Sequence, residues 1–411
     1  MTIRILWLSD KMLGRSAYSK VTYECCTRLV EMGCKVAHVP MGHANRMGKW
    51  VYKDVLIYPS GQDPFSEDVA VQYYVDWKAD MLIVLKDAWV MRSLHKEALN
   101  TVWYVPIDHS PVSTMITSRL HTAFAVLVPS RFGQRELRNA NVDVPIFYIP
   151  HGVRCDVFKP MDKSECRKDW YLPEDSFVVL VVAKNQARKL ISRMLRAFKL
   201  FRDRNPDAKP KLFLWTDIYG ASREQYEGAL AMGVADVGVN LLPEIVRLGL
   251  EEDVYWPDKQ LVQEGIPDSG DKWSMATLYN AADVLLMTTG GEGFGLPLIE
   301  AQACGVPCVT TDYAAAPEIV GAGLTVPWSD YIVINTPGTR YALADLDKTA
   351  DALEKILNAD REKLARRARR FALRFDWDRV FNMWWKPFLE WAETELYPLV
   401  TGKGVVSWCS P

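Results

Sequence analysis

No Cys-x2-Cys pair occurs among the eight cysteines, and the six histidines never fall beside them at zinc-ligand spacing, which excludes a structural zinc site of the usual kind. Cys25-Cys26 and Cys304-x3-Cys308 are the close spacings, and a reducing compartment is expected. Long apolar runs are also missing. The opening Ile3-Arg4-Ile5-Leu6-Trp7-Leu8 is too short and too interrupted for a signal peptide or a membrane span. A soluble cytoplasmic protein without a transmembrane segment is the corresponding expectation. An excess of one charge is absent as well. With 49 basic and 51 acidic residues the chain has no global field for DNA, RNA or an anionic membrane.

What the sequence does have is length and alternation. Its 411 residues suffice for two domains with their own cores. Apolar runs at residues 3–8, 35–40, 55–58, 81–85, 102–107, 125–128 and 146–149 alternate with helix-capable segments such as 16–32, which Gly33 terminates. Strands alternating with helices imply an α/β protein with a parallel, doubly wound sheet. A polar, proline-bounded passage, Pro150-His-Gly-Val-Arg-Cys-Asp-Val-Phe-Lys-Pro160, follows and reads as a linker. A second series at 177–183, 212–216, 254–256, 283–289 and 308–310 predicts a second parallel sheet. The expected units are residues 1–155, 156–375 and a C-terminal helical segment 376–411.

Residues 345–375 read as two helices, the second carrying Arg366, Arg367, Arg369 and Arg370. Such a run is first a solvated face, with nucleic-acid contact the secondary reading. Residues 378–399 are aromatic-rich, and Glu390, Glu393 and Glu395 stand where a membrane-surface helix would carry lysine or arginine. Packing against the protein is expected.

The densest chemical signal is Gly290-Gly-Glu292-Gly-Phe-Gly-Leu-Pro-Leu-Ile-Glu300, followed by Ala-Gln-Ala-Cys-Gly-Val-Pro-Cys-Val. It reads as strand, glycine loop, helix and strand. Pro297 suits a first helical turn, and Gly305 with Pro307 ends the helix. Free backbone N–H groups and a helix N-terminus therefore meet at a place suited to phosphate, flanked by Glu292 and Glu300. A dinucleotide fingerprint fails, because Leu296 stands where G-x-G-x-x-G needs its third glycine, and no Gly-Lys-Ser/Thr marks a Walker loop. A glycosidase carboxylate pair sits ~5 to 9.5 Å apart. Eight residues at ~1.5 Å each would place these two up to ~12 Å apart in a helix, better suited to the two ends of a long ligand.

The pattern resembles the E-x7-E motif of retaining glycosyltransferase family 4, which has the GT-B fold. The resemblance implies two Rossmann-like domains facing a cleft, the first on the acceptor side and the second on the donor side, with a C-terminal helix crossing back to the first. The Gly152 to Pro160 passage is similar to the family's segment at the start of its second domain. The resemblance further implies that Glu292 holds hydroxyls of the donor sugar, that Gly293, Phe294 and Gly295 present backbone N–H groups to it, and that Leu296 and Pro297 open the helix facing the diphosphate. Glu300 would accept from the nucleotide ribose. The family pairs an arginine with a lysine five residues later for the diphosphate; here Lys184 stands at the arginine position and Lys189 matches the lysine. An ammonium cannot make the bidentate fork of a guanidinium, so either Lys184 acts more weakly or Arg188 lends the second charge. Gly14 lies in the first strand-to-helix loop, where the family often has two adjacent glycines. His109, after a strand in Val105-Pro-Ile-Asp-His-Ser-Pro111, resembles the family's active-site histidine; a purely structural histidine is the alternative.

The activity this implies is transfer of a sugar from a UDP- or GDP-sugar to an acceptor hydroxyl of a glycan, lipid or small molecule, with retention. Neither metal nor cofactor is expected. Alternatives are action on a modified DNA base, a sugar-nucleotide epimerase or phosphorylase of the same fold, and a non-catalytic nucleotide-sugar binding protein. Donor specificity is expected in loops such as 257–273.

Overall fold

The computed structural model describes residues 2–42, 48–231, 236–334 and 337–397. Its first sheet is built from β1 (Arg4–Ser9), β2 (Lys35–Pro40), β3 (Trp50–Tyr52), β4 (Val55–Ile57), β5 (Met81–Leu85), β6 (Thr101–Tyr104), β7 (Ala125–Val128) and β8 (Ile146–Tyr148), in the order β3-β4-β2-β1-β5-β6-β7-β8. All pairings are parallel except β3 with β4. The central strands are buried along their length, as strands covered by helices on both faces must be. The first helix, Ala17–Glu31, starts where the Ser16 side chain accepts from the Ser19 N–H. It ends where Gly33 adopts a positive φ of 92° and Cys34 N–H reaches back to Leu29 O.

The second sheet comprises β9 (Val178–Val182), β10 (Lys211–Trp215), β11 (Val254–Tyr255), β12 (Val284–Met287), β13 (Cys308–Thr311) and β14 (Gly323–Val326), all parallel in the order β11-β10-β9-β12-β13-β14. Its lower edge is tied by Asp283, which accepts from Val178 N–H and pairs with Lys163 and Arg167 at 2.8 and 2.6 Å.

Three features depart from the sequence reading. Strand β3 is a short antiparallel edge with Trp50 and Val51 exposed, a pattern that lacks the apolar continuity of a buried strand. Strand β14 contributes only Val326 to the fully buried set, and a separate hairpin, β15 (Trp328–Ile334) with β16 (Thr339–Ala344), lies outside both sheets. The strand expected over 102–107 ends at Tyr104; Val105 N–H still donates to Leu127 O, after which Pro106 has none to offer.

Helices Leu346–Leu357 and Arg361–Ala372 occupy the expected stretch. The chain then returns to the first sheet, and it passes the outgoing linker at one place, where Val153 N–H donates to Phe375 O and Gly152 approaches Trp377 too closely for any Cβ. Trp385 lies 6.1 Å from Trp7 and 5.9 Å from Tyr104, ring centre to ring centre. Helix Lys386–Leu396 adds Phe388 and Trp391 against Phe147. The C-terminal segment is thus apolar packing on the first domain. Residues 398–411 of that expected unit lie outside the described residues.

Candidate active site

The carboxyl ends of β1, β5 and β6 face those of β9 and β12, and the residues of interest gather where they meet. The glycine loop after β12 makes the contact. A Cβ on Gly291 would lie 2.1 Å from Asp108 O, and one on Gly293 would lie 2.4 Å from Pro106 Cβ. These glycines let the second domain's loop seat directly against the end of β6. Gly295 takes φ 98° and leads into helix Leu296–Ala303, with Pro297 in its first turn. The Phe294 ring is buried edge-on against His151 and Phe375, so this residue offers only its backbone to the cleft.

Glu292 is buried, and Lys189 Nζ donates to its Oε1 at 2.6 Å. Burial, with Arg188 alongside, pulls the Lys189 ammonium below its usual range even though Glu292 opposes the shift. Arg188 donates through its backbone N–H and its Nε to the two oxygens of Asp236, at 3.0 and 2.9 Å. Its Nη1 stands 3.9 Å from Asp108 Oδ2 across the cleft. Despite burial, Asp108, Glu292 and Asp236 hold the Arg188 guanidinium firmly charged. Lys184, by contrast, is exposed at the mouth of the site, where its charge reaches Asp10. Of the basic residues singled out in the sequence, Arg188 and Lys189 thus lie inside the cleft and Lys184 lies at its rim.

His109 is buried, and both ring nitrogens are engaged within its own segment. Nδ1 sits 2.8 Å from Asp108 Oδ1, and Ser113 N–H donates to Nε2 at 3.3 Å. An accepting Nε2 leaves the proton on Nδ1 for Asp108. Gly14 is confined by its own loop, where an added Cβ would lie 2.4 Å from Ser19 Oγ. Glu300 is buried on the helix; Tyr279 O–H donates to its Oε2 at 2.7 Å, and Lys20 of the first domain donates to Oε1 at 3.0 Å.

Further side chains line the cleft. Asp10 and Asp87 immediately follow the β1 and β5 regions and take Lys86 Nζ at 2.8 Å and Tyr18 O–H at 2.9 Å. Both lie at the carboxyl ends of parallel strands, where ligands of such sheets sit. Tyr341, from the hairpin, brings its hydroxyl 3.5 Å from Asp108 Oδ2, while Ala342 N–H donates to Gly290 O. Neither Tyr341 nor Asp236 carries any local motif. The arginine run on the helix Arg361–Ala372 is partly structural: Arg369 donates to the carbonyls of Phe158, Ala303 and Cys155. Among the described residues no group of three His, Cys, Asp or Glu forms a metal-binding cluster, and no helix is long and apolar enough to cross a membrane.

Residues 176–359 match the family model described as glycosyl transferases group 1. The chain is 30% identical over 244 residues to the D-inositol 3-phosphate glycosyltransferase of Actinosynnema mirum, covering 57% of this chain and 49% of that protein. A protein of the same name from Mycobacterium avium is 29% identical over 58% of this chain and 47% of its own length. The chain spans about half the length of the curated relatives it matches. Among solved structures, sucrose-phosphate synthase from Thermosynechococcus elongatus superposes with a TM-score of 0.69 at 18% identity, covering 95% of this chain and 99% of that one. HepE of Anabaena, solved with UDP and glucose, gives 0.64 at 16% identity, covering 94% and 99%. The fold is GT-B, with two Rossmann-like domains on either side of a cleft.

Proposed function

We propose that this chain, whose residues 176–359 belong to the glycosyl transferases group 1 family, transfers a sugar from a UDP- or GDP-sugar to an acceptor hydroxyl, with retention and without a metal. The observation that carries the reading is the meeting of Glu292, Lys189 and Arg188 beside the N-terminus of helix Leu296–Ala303, opposite Asp108 of the first domain. A diphosphate leaving group gathers negative charge as the glycosidic bond breaks. A buried lysine, a half-buried arginine and a helix N-terminus are preorganised to stabilise that charge. Glu292, which takes Lys189 on one oxygen, has acceptor capacity left for sugar hydroxyls. The acceptor oxygen attacks the anomeric carbon from the face the diphosphate leaves, and the departing phosphate oxygen takes its proton. The close seating of Gly291 and Gly293 on the end of β6 keeps water from the donor.

The acceptor is a hydroxyl of a glycan, a lipid or a small molecule. The relatives named for D-inositol 3-phosphate make a small phosphorylated polyol the first acceptor to try. The modified-base reading rested on the arginine run, and Arg369 is committed to backbone carbonyls. The test is to supply α-linked UDP- and GDP-sugars with candidate acceptors in EDTA and read the product's anomeric proton by NMR. An α product formed in EDTA supports the reading; a β product, or transfer that needs added Mg²⁺ or Mn²⁺, overturns it.

A further inference from the structure

Lys20 stands on the first helix, one turn beyond its start, and reaches across to the second domain. Its Nζ lies 3.0 Å from Glu300 Oε1 and 3.0 Å from each carboxylate oxygen of Asp268. Asp268 belongs to the passage 257–273, and that passage meets the first domain again at Gly265, where a Cβ would lie 2.5 Å from Arg15 Cδ. Two contacts thus seat the same loop on the start of the same helix. A cavity lined by Lys20, Arg154, Phe158, Asp268, Leu296 and Glu300 adjoins the ion pair.

Glu300 is only 5% exposed. Its carboxylate has roughly four acceptor positions. Tyr279 O–H takes one at Oε2 and Lys20 takes one at Oε1. Both oxygens are thereby oriented, and each retains capacity for a further donor. Without the ammonium, the buried carboxylate would keep a single hydroxyl partner, and Oε1 would lose the donor that orients it.

We propose that Lys20 is a positioning residue for the donor nucleotide: it holds Glu300 oriented for the ribose hydroxyls and ties the passage 257–273 across the nucleotide. The inference rests on the donor-site reading above and deepens it, because it makes nucleotide affinity depend on a side chain of the acceptor-side domain. Lys20 carries no motif in the sequence.

The test is calorimetric titration of the full chain with UDP and GDP, and with the 2′-deoxy and 3′-deoxy forms of whichever binds. Wild type is expected to prefer the ribonucleotide. Lys20→Met and Lys20→Gln are expected to weaken the deoxy forms as far as Asp268→Asn does and the ribonucleotide about tenfold further, so that the preference collapses. Lys20→Arg, which keeps the charge, restores most of it. Asp268→Asn, which frees the loop and spares Glu300, is expected to weaken both forms alike and keep the preference. Melting temperatures check that each variant is folded. If the Lys20→Met and Lys20→Gln variants keep the wild-type preference while Glu300→Gln loses it, Lys20 has no positioning role and the donor site stands. If wild type binds neither nucleotide, or Glu300→Gln keeps the preference, the donor-site reading itself falls and this inference with it.

Discussion

Lys189 and Glu292 form a buried ion pair at 2.6 Å, joining the basic turn after β9 to the glycine loop after β12. Both are less than one-tenth exposed, so neither charge has water as a substitute partner. Removing one leaves the other stranded, which costs about 3–5 kcal/mol. Lys189→Ala is therefore expected to lower both activity and melting temperature. Lys189→Ala/Glu292→Ala should recover part of the thermal loss and none of the activity, as a double-mutant cycle of melts and turnover will show. Full thermal and catalytic recovery in the double variant would make the pair structural.

The second cation of the proposed diphosphate site is assigned by its place in the cleft. Arg188 lies inside the cleft 3.9 Å from Asp108, and Lys184 is exposed at the rim. Arg188→Ala is expected to lower kcat/KM by about 10²-fold or more, Lys184→Ala by less than tenfold. Equal losses would return Lys184 to the role that its sequence position suggests.

His38 sets part of the acid sensitivity. Its Nδ1 lies 3.1 Å from Trp7 O, its Nε2 is buried without a partner, and burial depresses the imidazole from 6.5 to about 4. The folded value lies below the unfolded one, so the native state binds fewer protons between these limits. Stability is complete above pH ~6.5 and falls by about 3 kcal/mol as pH drops toward 4. Melts of wild type from pH 7 to pH 4.5 should show this slope, and His38→Gln, which keeps a donor toward Trp7, should flatten it. An unchanged slope would place the acid sensitivity elsewhere.

Much of this architecture was legible beforehand, for identifiable reasons. Strands such as Val178–Val182 are continuous apolar runs, and the Gly295, Pro297 and Gly305 punctuation fixes its helix within a residue or so. The hairpin Trp328–Ile334 with Thr339–Ala344 was missed because one of its faces is solvent: Tyr331 and Val333 are exposed, and no buried period marks it. At the site, the residues in one contiguous motif were found. Asp236, Tyr341 and Lys20 were not, since each arrives from a distant segment and only the tertiary approach gives it meaning. His109 was found for its place after a strand, and its engagement by Asp108 and Ser113 could not be read from that place.

The C-terminal segment yields a stability expectation independent of catalysis. Trp385 is fully buried between Trp7, Tyr104, Phe381 and Phe388. Trp385→Ala should cost about 3–5 kcal/mol in urea unfolding. A loss below about 1 kcal/mol would mean that this packing contributes little to the native state.

The central claim is that Glu292, Lys189 and Arg188 together release a nucleoside diphosphate from its sugar. Its most direct test is nucleotide release from UDP- and GDP-sugars in the presence of acceptor, wild type against Glu292→Gln, at saturating donor. The account expects acceptor-dependent release by wild type and a fall in kcat of about 10²-fold or more in the variant, whose amide oxygen still accepts from Lys189 and makes the thermal loss smaller than that of Lys189→Ala. Release by Glu292→Gln at the wild-type rate, or none from wild type with any donor, would contradict it.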